Sequence, residues 1–342
     1  MKIKITMQDI ADHVGYSRSM VSRALTGKSR INEETRQIIR EAAIQMGYPE
    51  EKILKKRNPQ TITVLTDRNA MYDSGYCNKV FVGIENGLKV HGLRMHLHLI
   101  GESAADIEKD SFPTKEDTAG IILFLYTPRD ILDQVRKSGI PTVLLNYTHM
   151  GNKGFDHVLI NDFVSMYDAT DYLIAKGHKR LFYVGSEYQA YSYSQRFYGF
   201  WECINHHTAE GIRASVNCAD PAEHQFDPER IISALKGPEA PTAIVCASDP
   251  LAFDVYTAIT DHGFRIPEDV SVIGFDDVEK ATWVQPQLTT VHVPKFHLGR
   301  VAADIIAERI NNPGRHENRT VLLGTRFVER NSVRVLVENE DS

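Results

Sequence analysis

From Thr61 onward the chain alternates short, unbroken apolar runs with amphipathic stretches, and it does so twice. The runs include TITVLTD, RMHLHLI, AGIILFLYT, PTVLLNY and HVLIND, then RLFYVGS, ASVNCA, TAIVCASD and VSVIGFDD. Between them, helical spacing fits 80–91, 131–137, 164–176, 194–206, 228–236 and 251–262. Gly92, Gly139, Gly177, Gly237 and Gly263 sit at or near the ends of these helices. An apolar run without alternation suits a strand covered on both faces, and such strands joined by helices build parallel sheets. A break near Asn161 divides the pattern, so two α/β lobes of similar build with a cleft between them are expected. Segments 289–294 and 320–328 are expected to cross back between the lobes.

The chain has 342 residues, enough for two or three domains. Its net charge of −6 conceals an asymmetry. The first 57 residues hold 12 Lys and Arg against 7 Asp and Glu, whereas the rest holds 27 against 38. A basic head on an acidic body points to a head that meets a polyanion, with a merely solvated charged face as the alternative. The longest apolar run, GIILFLY, is far too short to span a bilayer, and MKIKITMQDI has no apolar signal region, so no membrane is expected. Cys77, Cys203, Cys218 and Cys246 form no C-x-x-C pair. No disulfide and no metal are expected, and a reducing cytoplasm fits best. There is no G-x-S-x-G elbow, phosphate-binding loop or G-x-G-x-x-G turn, so neither catalysis nor a cofactor is expected. The His pair in Asn205–His207 falls at a helix end with no carboxylate spaced to partner it.

Spacing sharpens the reading of the head. Met7, Ile10, Ala11 and Val14 make one buried face of a short helix, and Gly15 breaks it. Ser17 is placed to cap a second helix that turns Met20, Val21, Ala24 and Leu25 inward and ends at Gly27. Arg18, Ser19, Ser22 and Arg23 then face outward, with no carboxylate between Ser17 and Lys28. Asn32 caps a third helix with an inward stripe of Ile38, Ile39, Ala42, Ala43 and Met46, stopped by Gly47 and Pro49. Two short helices about a glycine turn, buttressed by a third, describe a helix-turn-helix, which sets the start of its second helix in the DNA major groove. Arg can bond a guanine edge with two hydrogen bonds, and Ser can serve a base or a phosphate.

The stretch TMQDIADHVGYSRSMVSRALTGKSRINEETRQIIREAAIQMGY resembles the headpiece of the lactose/galactose repressor family of bacterial transcription regulators. The resemblance rests on Gly15, Ser17, Val21, Ser22, Arg23, Leu25 and Gly27. The family's usual Thr and Asn are replaced by Met20 and Thr26. It implies base reading by Arg18, Ser19 and Arg23. The DNA-facing set is Thr6, Ser17, Arg18, Ser19, Ser22, Arg23, Lys28 and Arg30, with Leu54 and Lys55 in the following segment. That segment, PEEKILKKRNPQT, reads as a linker. In the family it folds into a hinge helix whose leucine wedges into the minor groove. Here Lys56 stands near the leucine position. Leu54 or Ile53 in a shifted register is one reading, and plain exposure in a flexible linker is the other.

The body resembles the same family and, through it, the periplasmic sugar-binding proteins, on VFVGIENGLKVHG, RFYGF, AIVCASDPLAFDVYTAITDHGFRIPEDVSVIGFDD and PQLTTVHVP. In open parallel sheets ligands sit beyond the carboxyl ends of strands. The polar residues there are Asp67 and Arg68, Thr127, Asn146, Asn161 and Asp162, Ser186, Ser248 and Asp249, and Asp276 and Asp277. SEYQAYSYSQRFYGF adds four Tyr, Gln195 and Arg196, a set suited to a hydroxylated metabolite, with Tyr198 expected in the core between lobes. The resemblance makes Arg196 and Asp276 effector ligands and places Phe124, Asn146 and Ile160 at pocket positions. Ser248 and Val293 replace the family's usual Asn and Gln. The effector set is Asp67, Tyr76, Phe124, Asn146, Ile160, Ser186, Arg196, Ser248 and Asp276.

The expected architecture is α/β. A three-helix helix-turn-helix headpiece (1–48) and a hinge linker (49–60) precede a two-lobed, periplasmic-binding-protein-like body with parallel sheets (61–342). The resemblance implies a cytoplasmic, homodimeric repressor of a roughly palindromic double-stranded operator, controlled by a small molecule, with a sugar favoured. A purine co-repressor or a phosphorylated protein partner is the alternative.

Overall fold

The computed structural model describes residues 5–26, 31–49, 60–67, 75–100, 112–125, 129–148, 154–186, 190–217, 227–314 and 317–336. It divides into two compact units, 1–60 and 61–342.

The first unit holds α1 (Met7–Val14), α2 (Arg18–Thr26) and α3 (Glu33–Gln45). Thr6 and Asp9 cap α1 reciprocally. The Asp9 N–H donates to Thr6 Oγ1, and the Thr6 N–H donates to Asp9 Oδ2 at 2.7 Å. Gly15 ends α1 at φ 72°, a left-handed position that favours glycine. Ser17 Oγ then accepts from the Met20 N–H and opens α2. Ile10, Ala11, Val21, Ala24, Leu25, Ile39, Ala43 and Tyr48 form the core. One expected core residue is displaced: Ile38 is 45% exposed. It lies about a quarter turn from the centre of the stripe formed by Ile39, Ala42, Ala43 and Met46, outside the arc that α1 and α2 cover.

In the second unit, lobe 1 is a six-stranded parallel sheet. It contains β1 (Thr61–Asp67), β2 (Arg94–Ile100), β3 (Gly120–Phe124), β4 (Thr142–Leu145), β5 (Asp156–Ile160) and β11 (Thr320–Leu323), in the order β11-β5-β4-β3-β1-β2. Lobe 2 is a four-stranded parallel sheet, β7-β6-β8-β9, of β6 (Arg180–Val184), β7 (Arg213–Asn217), β8 (Ala243–Cys246) and β9 (Ser271–Ile273). The strands bury both faces. Ile122 and Phe124 join one apolar cluster while Ile121 and Leu123 join another, and Leu181 and Tyr183 divide from Phe182 and Val184 in the same way.

The helices α4 (Cys77–Val90), α5 (Arg129–Ser138), α6 (Asp162–Ala175), α7 (Tyr191–His206), α8 (Pro228–Lys236) and α9 (Asp249–Asp261) begin within a few residues of the positions that periodicity predicts. Asn161 is the switch, directly after β5 and directly before α6. The chain returns through β10 (Thr290–His292), which pairs antiparallel with β12 (Arg326–Val328). Between these strands the longest helix among the described residues, α10 (Lys295–Asn311), packs on α4 of lobe 1. Its residues carry no expectation in the sequence reading, because its apolar stripe of Leu298, Ala302, Ile305 and Ile306 matches a partner distant in sequence. Gly83 and Gly299 permit the close approach: a Cβ on Gly299 would collide with the Val80 carbonyl, and one on Gly83 with that of Phe296.

No helix among the described residues is long and apolar enough to cross a membrane. Cys77, Cys203 and Cys246 are buried free thiols.

Candidate functional site

The outward face of α2 is built as its spacing requires. Arg18, Ser19 and Arg23 are exposed and Ser22 is half-buried, while no acidic residue stands in the first turn. Arg23 Nε donates to the Ser19 carbonyl at 3.1 Å, which lays the side chain along the helix. Ser17 is occupied in capping, and its hydroxyl lies 3.0 Å from that of Ser19. Thr6 is exposed but engaged with Asp9. Lys28, Arg30, Leu54 and Lys55 lie outside the described residues.

The second assembly is at the junction of the two lobes and is centred on Arg196. That side chain is 3% exposed. Its Nε donates to Asp162 Oδ1 at 2.8 Å, Nη1 to the Ala247 carbonyl at 2.7 Å, and Nη2 to Asp276 Oδ1 at 3.3 Å. The guanidinium carbon stands 3.8 Å from the centre of the Phe275 ring, with Tyr193 beyond at 5.6 Å. The local architecture explains the meeting. Asp162 starts α6, Arg196 lies in the second turn of α7, Ala247 follows β8 and Asp276 follows β9, so strand ends and helix starts converge.

Lobe 1 supplies Tyr76, whose hydroxyl accepts from Asn146 Nδ2 at 3.1 Å. The first residue of α10, Lys295, is also buried here and donates to the carbonyls of Asp276 and Asp277, one lobe reaching into the other. Backbone strain gathers at the same place: Asn146, Asp276 and Asp277 have φ of 52°, 114° and 54°.

Burial dominates the electrostatics. It pushes the Asp162 carboxyl up to about 6 against the pull of Arg196, and Asp249 up to about 7 with help from the charge of Asp276. Asp249 is held by the Thr290 hydroxyl at 2.6 Å and the Val278 N–H at 2.8 Å. The Lys295 ammonium is pushed down by the same desolvation. Donors on Arg196, acceptors on Asp162 and Asp276 and the ring of Phe275 form a set that can grip vicinal hydroxyls.

The remaining expected residues divide into two groups. Ser248 is sealed from solvent beside the carbonyl that Arg196 binds, and its hydroxyl has no hydrogen-bond partner among the described residues. Asp67 and Ser186 sit at the ends of β1 and β6. Phe124 and Ile160 are packed into the lobe 1 core, with Phe124 edge-on to Phe81 at 5.4 Å. Tyr198, expected between the lobes, is instead 48% exposed, because its position on α7 faces away from α6. Arg68 and Thr127 lie outside the described residues. Lys295 and Phe275 are the members that the sequence reading misses. An isolated Lys after Pro294 and an aromatic inside a strand-end run give no local sign of a site.

Residues 6–50 match the description "Bacterial regulatory proteins, lacI family", and residues 170–333 match "Periplasmic binding protein-like domain". The chain thus joins a lacI-family DNA-binding domain to a periplasmic-binding-protein-like domain. The combination is that of a DNA-binding repressor controlled by a small-molecule effector. It is 28% identical over 342 residues to the HTH-type transcriptional repressor PurR of Vibrio atlanticus (strain LGP32), covering 97% of this chain and 99% of that one. It is 27% identical to the ribose operon repressor of Haemophilus influenzae over 337 residues, 96% of this chain and 98% of the relative. A solved lacI-family regulator from Enterococcus faecium with bound ribose superposes with a TM-score of 0.66 at 25% identity, over 81% of this chain and all of that one.

Proposed function

We propose that this protein is a sugar-responsive repressor acting as a homodimer on a roughly palindromic operator in the cytoplasm, and that it is not an enzyme. Residues 1–48 are its headpiece, 49–60 the hinge and 61–342 the effector-binding and dimerising body. Arg18, Ser19 and Arg23 read bases. Arg196, Asp276 and Asp162 grip effector hydroxyls, with Tyr76, Asn146 and Ser248 around them.

The observation that carries the reading is the buried Arg196 guanidinium shared by two carboxylates where the lobes meet. Arg196 and its carboxylates offer donors and acceptors together, as a polyol requires, and the Ser248 hydroxyl, without a partner among the described residues, invites one more hydrogen bond. Bound ribose in the E. faecium relative supports the same class of ligand. A homodimer is supported by the helix pair α4 and α10, which leaves Val82, Val90 and Phe296 exposed. Two heads on one two-fold axis require a two-fold operator.

The test is selection of bound duplexes from a random pool, followed by binding titrations with pentoses, hexoses, sugar phosphates and purines. A sugar is expected to raise the melting temperature and to change operator affinity by about 5- to 150-fold. A purine that strengthens operator binding, with no sugar effect, would replace this reading with the co-repressor alternative.

A further inference from the structure

The far ends of α6 and α7 hold a second cluster of chemistry. Cys203 and His207 are four residues apart at the end of α7, so both side chains lie along one helical face. Asp171, on α6, meets them there. His207 Nε2 lies 2.9 Å from Asp171 Oδ1, and His207 Nδ1 lies 2.9 Å from Glu210 Oε1 in the short 3-10 turn that follows. One ligand atom each from Asp171, Cys203 and His207 falls within 4.8 Å of the others. Cys203 is buried, while Asp171 and His207 are half-buried, so the cluster has a closed floor and an open side.

We propose that Asp171, Cys203 and His207 bind one borderline-soft divalent transition-metal ion of the zinc class, with water as the fourth ligand. Thiolate, imidazole and carboxylate together are a donor set that zinc takes and magnesium and calcium avoid. Bond lengths of about 2.0–2.3 Å place three such ligand atoms about 3.3–3.7 Å apart around one ion, and the three now lie within 4.8 Å of one another. Glu210 accepts from Nδ1–H of His207, which keeps the proton on Nδ1, so that loss of the proton between Nε2 and Asp171 frees the Nε2 lone pair for the ion and completes a carboxylate–histidine–metal relay. Asp168 and Asp171 both place negative charge near the thiol. On binding, the Cys203 thiol proton and the proton shared between His207 Nε2 and Asp171 pass to solvent, and the sulfur, the Nε2 nitrogen and an Asp171 oxygen each donate a pair to the metal.

The two helices are already rigidly paired, since a Cβ on Gly199 would collide with the Phe163 carbonyl. The same helices carry Asp162 and Arg196 toward their other ends, so the ion pins together the pair that builds the lobe junction. The sequence hides the site. Cys203-x-x-x-His207 resembles no paired-cysteine motif, and Asp171 reaches the His through the fold while Glu210 reaches it from three residues on, which corrects the expectation that it has none.

The test uses the full chain stripped with chelator and titrated with Co²⁺ alone, then with competing Zn²⁺. One equivalent is expected to bind with a thiolate-to-cobalt charge-transfer band. Cys203→Ser removes the band, and His207→Gln and Glu210→Gln each weaken binding by about 10-fold or more. Should Cys203→Ser fail to fold, His207→Gln at its half-exposed position decides the matter by itself. Absence of saturable binding, a band that survives Cys203→Ser, or undiminished binding by His207→Gln overturns the site and leaves His207 as a hydrogen-bonded bridge between two carboxylates.

Discussion

The headpiece and the lobe junction both depend on arginine, and they hold it in opposite environments. On α2, Arg18 and Arg23 stand in solvent, and the terminal nitrogens of Arg23 have no protein partner among the described residues. At the junction, Arg196 is sealed and shared among Asp162, Asp276 and the Ala247 carbonyl. An exposed guanidinium contributes little to stability and remains available to a duplex. A buried one is bound to its partners, because each ion that loses water must be repaid by geometry. The first environment makes a reading surface, and the second makes a joint whose parts stand or fall together.

The largest expected effect follows from that difference. Arg196→Ala leaves Asp162 and Asp276 without their cation and should cost about 3–5 kcal/mol of body stability, read by urea denaturation. A loss near zero would mean that the junction is looser than its hydrogen bonds imply, and the contrast with α2 would collapse.

A smaller effect concerns pH. The Asp249 carboxyl ionises near 3.8 in the unfolded chain and near 7 in the fold. Between those values the folded state holds the extra proton, so this group's contribution falls as pH rises from about 4 to 7 and is level above. Asp249→Asn can accept from the Val278 N–H and donate to the Thr290 hydroxyl without titrating. The slope of stability against pH should therefore change by up to roughly 1.4 kcal/mol per pH unit in that window. Superimposable slopes for the two proteins would remove burial as the governing influence on Asp249.

The smallest effect on the fold sharpens the other side of the comparison. Arg23→Ala should cost about 1–3 kcal/mol of specific operator binding and relax base preference. It should leave the melting transition within about 0.5 kcal/mol of the parent. Loss of stability with unchanged DNA affinity would show that Arg23 belongs to the fold and not to the reading face.

The same division decides how much could be read in advance. The headpiece was legible nearly residue by residue. Its caps at Ser17 and Asn32, its turn at Gly15 and the exposed run of Arg and Ser are local matters, settled within four residues along a helix. Ile38 escaped because the edge of a stripe is fixed by what packs against it. The parallel strands and the switch at Asn161 were legible for a related reason: burial on both faces leaves an uninterrupted apolar run.

At the junction Arg196, Asp276, Tyr76 and the polar strand ends were visible. Tyr198 was misjudged, α10 was not foreseen, and Lys295 and Phe275 gave no sign. Each depends on a neighbour tens to hundreds of residues away, such as Gly299 against Val80 or Lys295 against the carbonyl of Asp276.

The sequence by itself determined the elements, the two lobes and the cationic reading helix, because the spacing along a helix and the unbroken apolar run of a doubly covered strand are both written between near neighbours. Only the tertiary structure decided which charges are buried together, which rings cover them, and that Asp171 reaches His207. Partnership among ionic groups in low dielectric depends on distance through space, and distance along the chain does not report it.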